Sequence, residues 1–100
     1  MSIAIDLRGE KALVTGAGAG IGREIAIWLA EAGASVAVND LVPERAESVV
    51  KEITHNGGEA YAVPADCRDD TAVNELVKRT VEVLGGLSIA VNNAVSYTHL

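Results

Sequence analysis

The sequence predicts an α/β fold: a doubly wound parallel sheet with strand order 3-2-1-4, covered by helices on both faces. Two observations carry this. Short apolar runs alternate with amphipathic stretches in the order β-α-β-α-β-α-β. The runs are almost continuously apolar, as strands buried on both faces are, and the helix-length segments between them suit right-handed parallel crossovers.

Each element has its own signal. "KALVT" (11–15), bounded by Gly9 and Gly16, reads as the first strand. In "IGREIAIWLAEAGA" the residues Ile21, Ile25, Trp28 and Leu29 recur at helical spacing, and Gly33 supplies a stop. Trp28 lies on that apolar stripe and is expected in the core. Arg23 is expected to be solvated or salt-bridged. "SVAVN" (35–39) is the second strand. A second helix runs over 43–56, with Pro43 at its start, Glu44 and Glu47 early, and His55 at the end, where it suits the helix dipole. Its other Glu and Lys residues form a wet face. "AYAVP" (60–64) is the third strand, halted by Pro64. Asp69, Asp70 and Thr71 offer capping oxygens for a third helix, in which Val73, Leu76, Val77, Val81 and Leu84 repeat until Gly85-Gly86. "LSIAVN" (87–92) is the fourth strand.

Composition removes several function classes. Half of the residues are apolar (49%) and the net charge is −6, with no basic cluster, so neither nucleic acid nor an anionic membrane surface is an expected partner. No apolar run approaches the roughly 20 residues of a membrane span, and the first residues lack the pattern of a secretory signal. Cys67 is alone, which fits a reducing compartment, most simply the cytoplasm. His55 and His99 have no partner at metal-ligand spacing, so no metal site is expected.

The chemistry sits in the turns after the strands. The first strand-to-helix turn is "TGAGAGIG" (15–22). The pattern Gly-x-Gly-x-x-Gly fails here, because its third glycine would fall on Ile21 or Arg23. The spacing that fits is Gly-x-x-x-Gly-x-Gly on Gly16, Gly20 and Gly22. Such a turn, between a buried strand and a helix, lets main chain approach a pyrophosphate and aims free N–H groups and the helix dipole at it. The plain alternative is a tight turn. Asp40 ends the second strand about 20 residues further on, where a carboxylate accepts from adenosine ribose hydroxyls and repels a 2′-phosphate. The alternative is a turn-initiating Asp. No Arg or Lys lies inside the turn, Leu41 follows Asp40, and no cation is expected nearby, which favours NAD over NADP.

Taken together, "TGAGAGIG", Asp40, "ADC" (65–67) and "VNNA" (91–94), in order and each at the end of a strand, resemble a short-chain dehydrogenase/reductase. The resemblance covers residues 7–94 and implies the Rossmann type of sheet. It implies that Gly16, Gly18, Ala19, Gly20, Ile21 and Gly22 hold the pyrophosphate and nearby ribose, and that Asp40 binds the adenosine ribose. It also implies that Asp66 meets the adenine amino group, with a turn or cap as its alternative. Cys67 would lie beside the adenine by its backbone, its thiol inert. Asn92 and Asn93, with Ala94, match a turn that braces the central strands and touches the cofactor's ribose by main chain.

The family's catalytic Ser and Tyr-x-x-x-Lys pair cannot be placed in this sequence. Tyr97 directly follows the fourth strand with no Lys after it, and Tyr61 lies in the third strand. The expectation is therefore an inactive N-terminal piece, 1–94, of an NAD-dependent oxidoreductase, prone to aggregation at its fourth strand. The parent would interconvert a secondary alcohol and a ketone, with 3-oxoacyl thioesters, sugars or polyols and cyclic alcohols as candidate substrates. It would be a homo-oligomer. Residues 95–100, "VSYTHL", replace the family's glycine and read as translated sequencing-adapter DNA, or else as an odd natural terminus. The alternative from another class is a noncatalytic nucleotide-binding or regulatory module on the same fold.

Overall fold

Alternation along the first strand sends Ala12 and Val14 to one face of the sheet and Leu13 to the other, and each face collects its own helices. The computed structural model describes residues 5–93. Its elements are β1 (Lys11–Val14), α1 (Gly20–Glu31), β2 (Ser35–Val38), α2 (Pro43–His55), β3 (Glu59–Ala62), α3 (Asp70–Leu84) and β4 (Ile89–Val91). All pairings are parallel, in the order β3-β2-β1-β4, as the sequence predicts.

On one face, Ala12, Val14, Val36 and Val38 pack with Ala26 and Leu29 of α1 and Ala46, Val49 and Ile53 of α2. On the other, Leu13, Ala37 and Val63 pack with Leu76 and Leu84 of α3. The result is three layers. Burial of a side chain such as Val49 or Ile53 contributes about 1.5–3 kcal/mol.

The structure corrects the expected place of Trp28. Two stripes of period i, i+4, i+7 run along α1, offset by one residue and so by about 100°. The sheet takes the smaller one, Gly22, Ala26 and Leu29. Ile21 and Trp28, on the bulkier stripe, are 73% and 50% exposed. Close helix–sheet packing selects the small residues. Val77 and Val81 of α3 likewise stay exposed, and the buried stripe of that helix is Leu76, Thr80 and Leu84.

The strand register aligns Val14 with Val38 and with Val91, and Val38 with Ala62. The carboxyl ends of all four strands therefore form one edge, and the turns after β1, β2, β3 and β4 gather there. Chain order reverses between β1 and β4, the switch point at which sheets of this class open a crevice. Among the described residues, no helix is long and apolar enough to cross a membrane, and no group of His, Cys, Asp and Glu could hold a metal ion.

Candidate functional site

The turn from β1 into α1 uses its glycines in different ways. Gly16 and Gly20 have φ of 61° and 59°, the left-handed region that other residues resist. Gly22 is needed for close approach instead: a Cβ there would lie 2.2 Å from the Gly16 carbonyl oxygen and 2.6 Å from Asn93 Nδ2. Gly18 lies outside the spacing pattern yet is no freer, since a Cβ would meet Arg45 Cβ at 2.6 Å and Asp40 Cγ at 2.7 Å.

This turn delivers the start of α1 with its donors open. The residue before the helix, Ala19, is extended and has no side-chain oxygen to cap it. The first turn contains no acidic residue, and the first main-chain bond into the helix runs from Arg23 N–H to Ala19 O, 3.3 Å. Ala19 and Gly20 are exposed. Uncapped N–H groups at the positive end of a twelve-residue helix, reached over small residues, fit a phosphate group.

Three asparagines hold the turn, two on one side and one on the other. Asn93, after β4, donates from Nδ2 to the Gly16 carbonyl, 3.1 Å. Its neighbour Asn92 accepts from the Thr15 hydroxyl at 3.2 Å. The bracing expected of this pair is thus made by their side chains. Ala94 and residues 95–100 lie outside the described residues. Asn39 holds the other side, and sequence reasoning gave it no role beyond ending a strand. It is 1% exposed. Its Oδ1 accepts from Gly16 N–H (3.4 Å) and from the Cys67 thiol (3.3 Å), while Nδ2 donates to Val63 O (2.9 Å) and Ala65 O (3.4 Å). Its own carbonyl accepts from Ala17 N–H at 2.7 Å.

Asp40 lies buried at the rim. Oδ1 accepts from Gly18 N–H at 3.1 Å, and Oδ2 accepts from Val42 N–H at 3.0 Å, closing the turn into α2. The turn-forming alternative is therefore present, and it ties the carboxylate to the glycine turn. Each oxygen keeps a further acceptor site. The first turn of α2 lies against the glycine turn, with the Cβ of Arg45 packed next to Gly18, which the sequence reading did not anticipate. Arg45 is exposed and has no ion pair among the described residues.

After β3, Asp66 is bound within its own turn, both oxygens accepting from Arg68 at 2.9 Å. Those side-chain and main-chain N–H bonds lower its carboxyl pKa to about 2. Cys67 is half-buried beside it. Burial first, then the charges of Asp66 and Asp40, push its thiol pKa up, so the thiol stays protonated at neutral pH and is a poor nucleophile. Arg23 leaves the site, bridging α1 to α2 through a forked pair with Glu52 (2.6 and 2.7 Å) and touching Glu24 at 2.7 Å.

A family model for short chain dehydrogenases matches residues 10–98. The 7alpha-hydroxysteroid dehydrogenase of Escherichia coli is 47% identical over 88 residues, covering 88% of this chain and 34% of the relative. The 3-oxoacyl-[acyl-carrier-protein] reductase of Staphylococcus aureus is 46% identical over 86 residues, covering 85% of this chain and 35% of that protein. Among solved structures, a 7 alpha-hydroxysteroid dehydrogenase complexed with NADH and 7-oxo glycochenodeoxycholic acid superposes with a TM-score of 0.85. It shares 42% identity, covering 87% of this chain and 34% of that one. The chain spans about a third of the length of these relatives.

Proposed function

The chain belongs to the short chain dehydrogenase family, and from that premise we propose that the protein carrying it is an NAD-dependent oxidoreductase interconverting a secondary alcohol and a ketone. The observation that carries the cofactor half of this reading is the open first turn of α1, set beside the glycine turn with the Asp40 carboxylate at its rim. The related structure bound to NADH supports it. The alcohol–ketone chemistry is what a hydroxysteroid dehydrogenase and a 3-oxoacyl reductase have in common.

Within this reading each residue has a task. The N–H groups at the start of α1 receive the pyrophosphate. Gly16, Gly18, Ala19, Gly20, Ile21 and Gly22 keep side chains out of its way or contribute main chain. Asp40 accepts from the adenosine ribose with the acceptor sites its turn leaves spare, and its charge disfavours a 2′-phosphate. Asp66 and Cys67 border the adenine, the former ionised at any working pH. Asn93 and Ala94 flank the second ribose. The nicotinamide, when bound, exchanges the hydride.

Proton transfer to the substrate is not assigned to any described residue. Tyr61 donates its hydroxyl to Glu59 at 3.1 Å, and this bond with Glu59's charge raises its pKa, the wrong direction for an acid–base near neutral pH. That task belongs to the catalytic Ser and Tyr-x-x-x-Lys pair of the family's remaining length. The proposal extends to a homo-oligomer acting on a small-molecule substrate, and the lone cysteine suits a cytoplasmic, reducing setting.

The test compares NAD and NADP titrations of the intact protein and of Asp40→Ala, alongside NADH formation from a panel of secondary alcohols. The unaltered protein is expected to prefer NAD about tenfold or more, the size of one like-charge conflict. Asp40→Ala leaves Arg45 beside the turn and moves the preference toward NADP. A preference that does not move refutes the role of Asp40. NAD binding with no turnover of any alcohol would favour the noncatalytic module.

A further inference from the structure

In the sheet order β3-β2-β1-β4, strand β2 separates β1 from β3. The turn after β1 and the segment after β3 therefore start about 10 Å apart, two strand spacings. Asn39 stands at the end of the middle strand and bonds to both. We propose that Asn39 is a positioning residue that fixes the distance between the glycine turn and residues 63–67. It would thereby match the protein to the length of a nucleotide from phosphate to base. The inference rests on the nucleotide-binding reading above.

The chemistry of the side chain supports a measuring role. All of its amide capacity is used, with Oδ1 turned to two donors and Nδ2 turned to two carbonyls. Only an amide satisfies both sets in this space. Aspartate has the same shape but would set an oxygen 2.9 Å from the Val63 carbonyl, acceptor against acceptor. Alanine would leave two carbonyls and one N–H without this partner. In both variants the two segments lose their common bond while the strand ladders remain, since Asn39 N–H still donates to Val14 O and Ala17 N–H to Asn39 O. Cys67 is the one side chain of 63–67 in this network, which explains why its thiol points inward.

Calorimetric titration of the intact protein with AMP, nicotinamide mononucleotide and NAD tests this. AMP spans phosphate and adenine; nicotinamide mononucleotide does not reach 63–67. Asn39→Asp and Asn39→Ala are expected to weaken AMP and NAD about tenfold, as for one lost buried hydrogen bond, with nicotinamide mononucleotide unchanged. A general loss of stability would not separate AMP from nicotinamide mononucleotide. A folded Asn39→Asp protein with unaltered AMP affinity overturns the proposal. If neither variant folds, NMR of the unaltered protein decides. The Asn39 side-chain amide resonances should move with AMP and stay with nicotinamide mononucleotide, and an unmoved pair with AMP bound overturns it. A protein that binds neither AMP nor NAD overturns the nucleotide reading itself.

Discussion

Helices α1 and α3 begin at the same edge of the sheet, yet their first turns are finished differently. In α3, Asp69 accepts from Thr71 N–H at 2.9 Å and from Ala72 N–H at 3.5 Å, and Asp70 adds a negative charge against the dipole. In α1, the same position is held by Ala19, which caps nothing, and no acid follows. A side-chain cap contributes about 1 kcal/mol. One helix takes that stability from its own sequence, while the other leaves its donors uncapped. On the proposed reading, the contrast separates a helix end that serves folding from one that serves binding, within a single sheet edge.

The largest test of this contrast is Gly22→Ala. Its Cβ would meet the Gly16 carbonyl at 2.2 Å, which forces α1 away from the turn. A loss of about 3 kcal/mol in urea unfolding is expected, with NAD binding abolished in the folded fraction. A variant within about 1 kcal/mol of the parent would show that the close approach is dispensable.

Ala19→Asp makes α1 resemble α3. Ala19 already has the extended backbone of a capping residue, so the new carboxylate should stabilise the protein by about 1 kcal/mol. The same carboxylate occupies and repels where a phosphate would sit, and NAD affinity should fall about tenfold, the factor set by roughly 1.4 kcal/mol. Stability and affinity moving in the same direction would break the comparison.

The smallest effect belongs to Asp69→Ala. Thermal and urea unfolding should register a loss of about 1 kcal/mol, and the NAD titration should not change. A fall in affinity would mean that the start of α3 also takes part in binding.

Much of this arrangement was legible in the sequence because its signals are local. The apolar runs mark the strands, and Gly16, Gly20 and Gly22 are each demanded by a local backbone or contact condition. Asp69 could be read as a cap from three residues of context. What escaped was decided between elements. Ile21, Ile25 and Trp28 form as good a helical stripe as Gly22, Ala26 and Leu29, and only the closeness of the sheet chooses the second. Arg45 is five residues past Asp40 in the sequence and meets Gly18 only because the turn after β2 sets the first turn of α2 against the glycine turn. Asn39 did leave a trace: an amide closing a wholly buried strand whose residues after Ser35 are all apolar. Its four partners, however, lie 23 to 28 residues away, before and after it in the chain, and no periodicity connects them.

The outward placement of Trp28 has an optical consequence. It is the sequence's single tryptophan, and half of it meets water in the folded chain. Its emission should already lie toward the red, so unfolding shifts its colour only slightly. Anything that settles over the Ile21–Trp28 side of α1 would shift it strongly to the blue. The indole is thus a poor thermometer of folding and a sensitive gauge of contact.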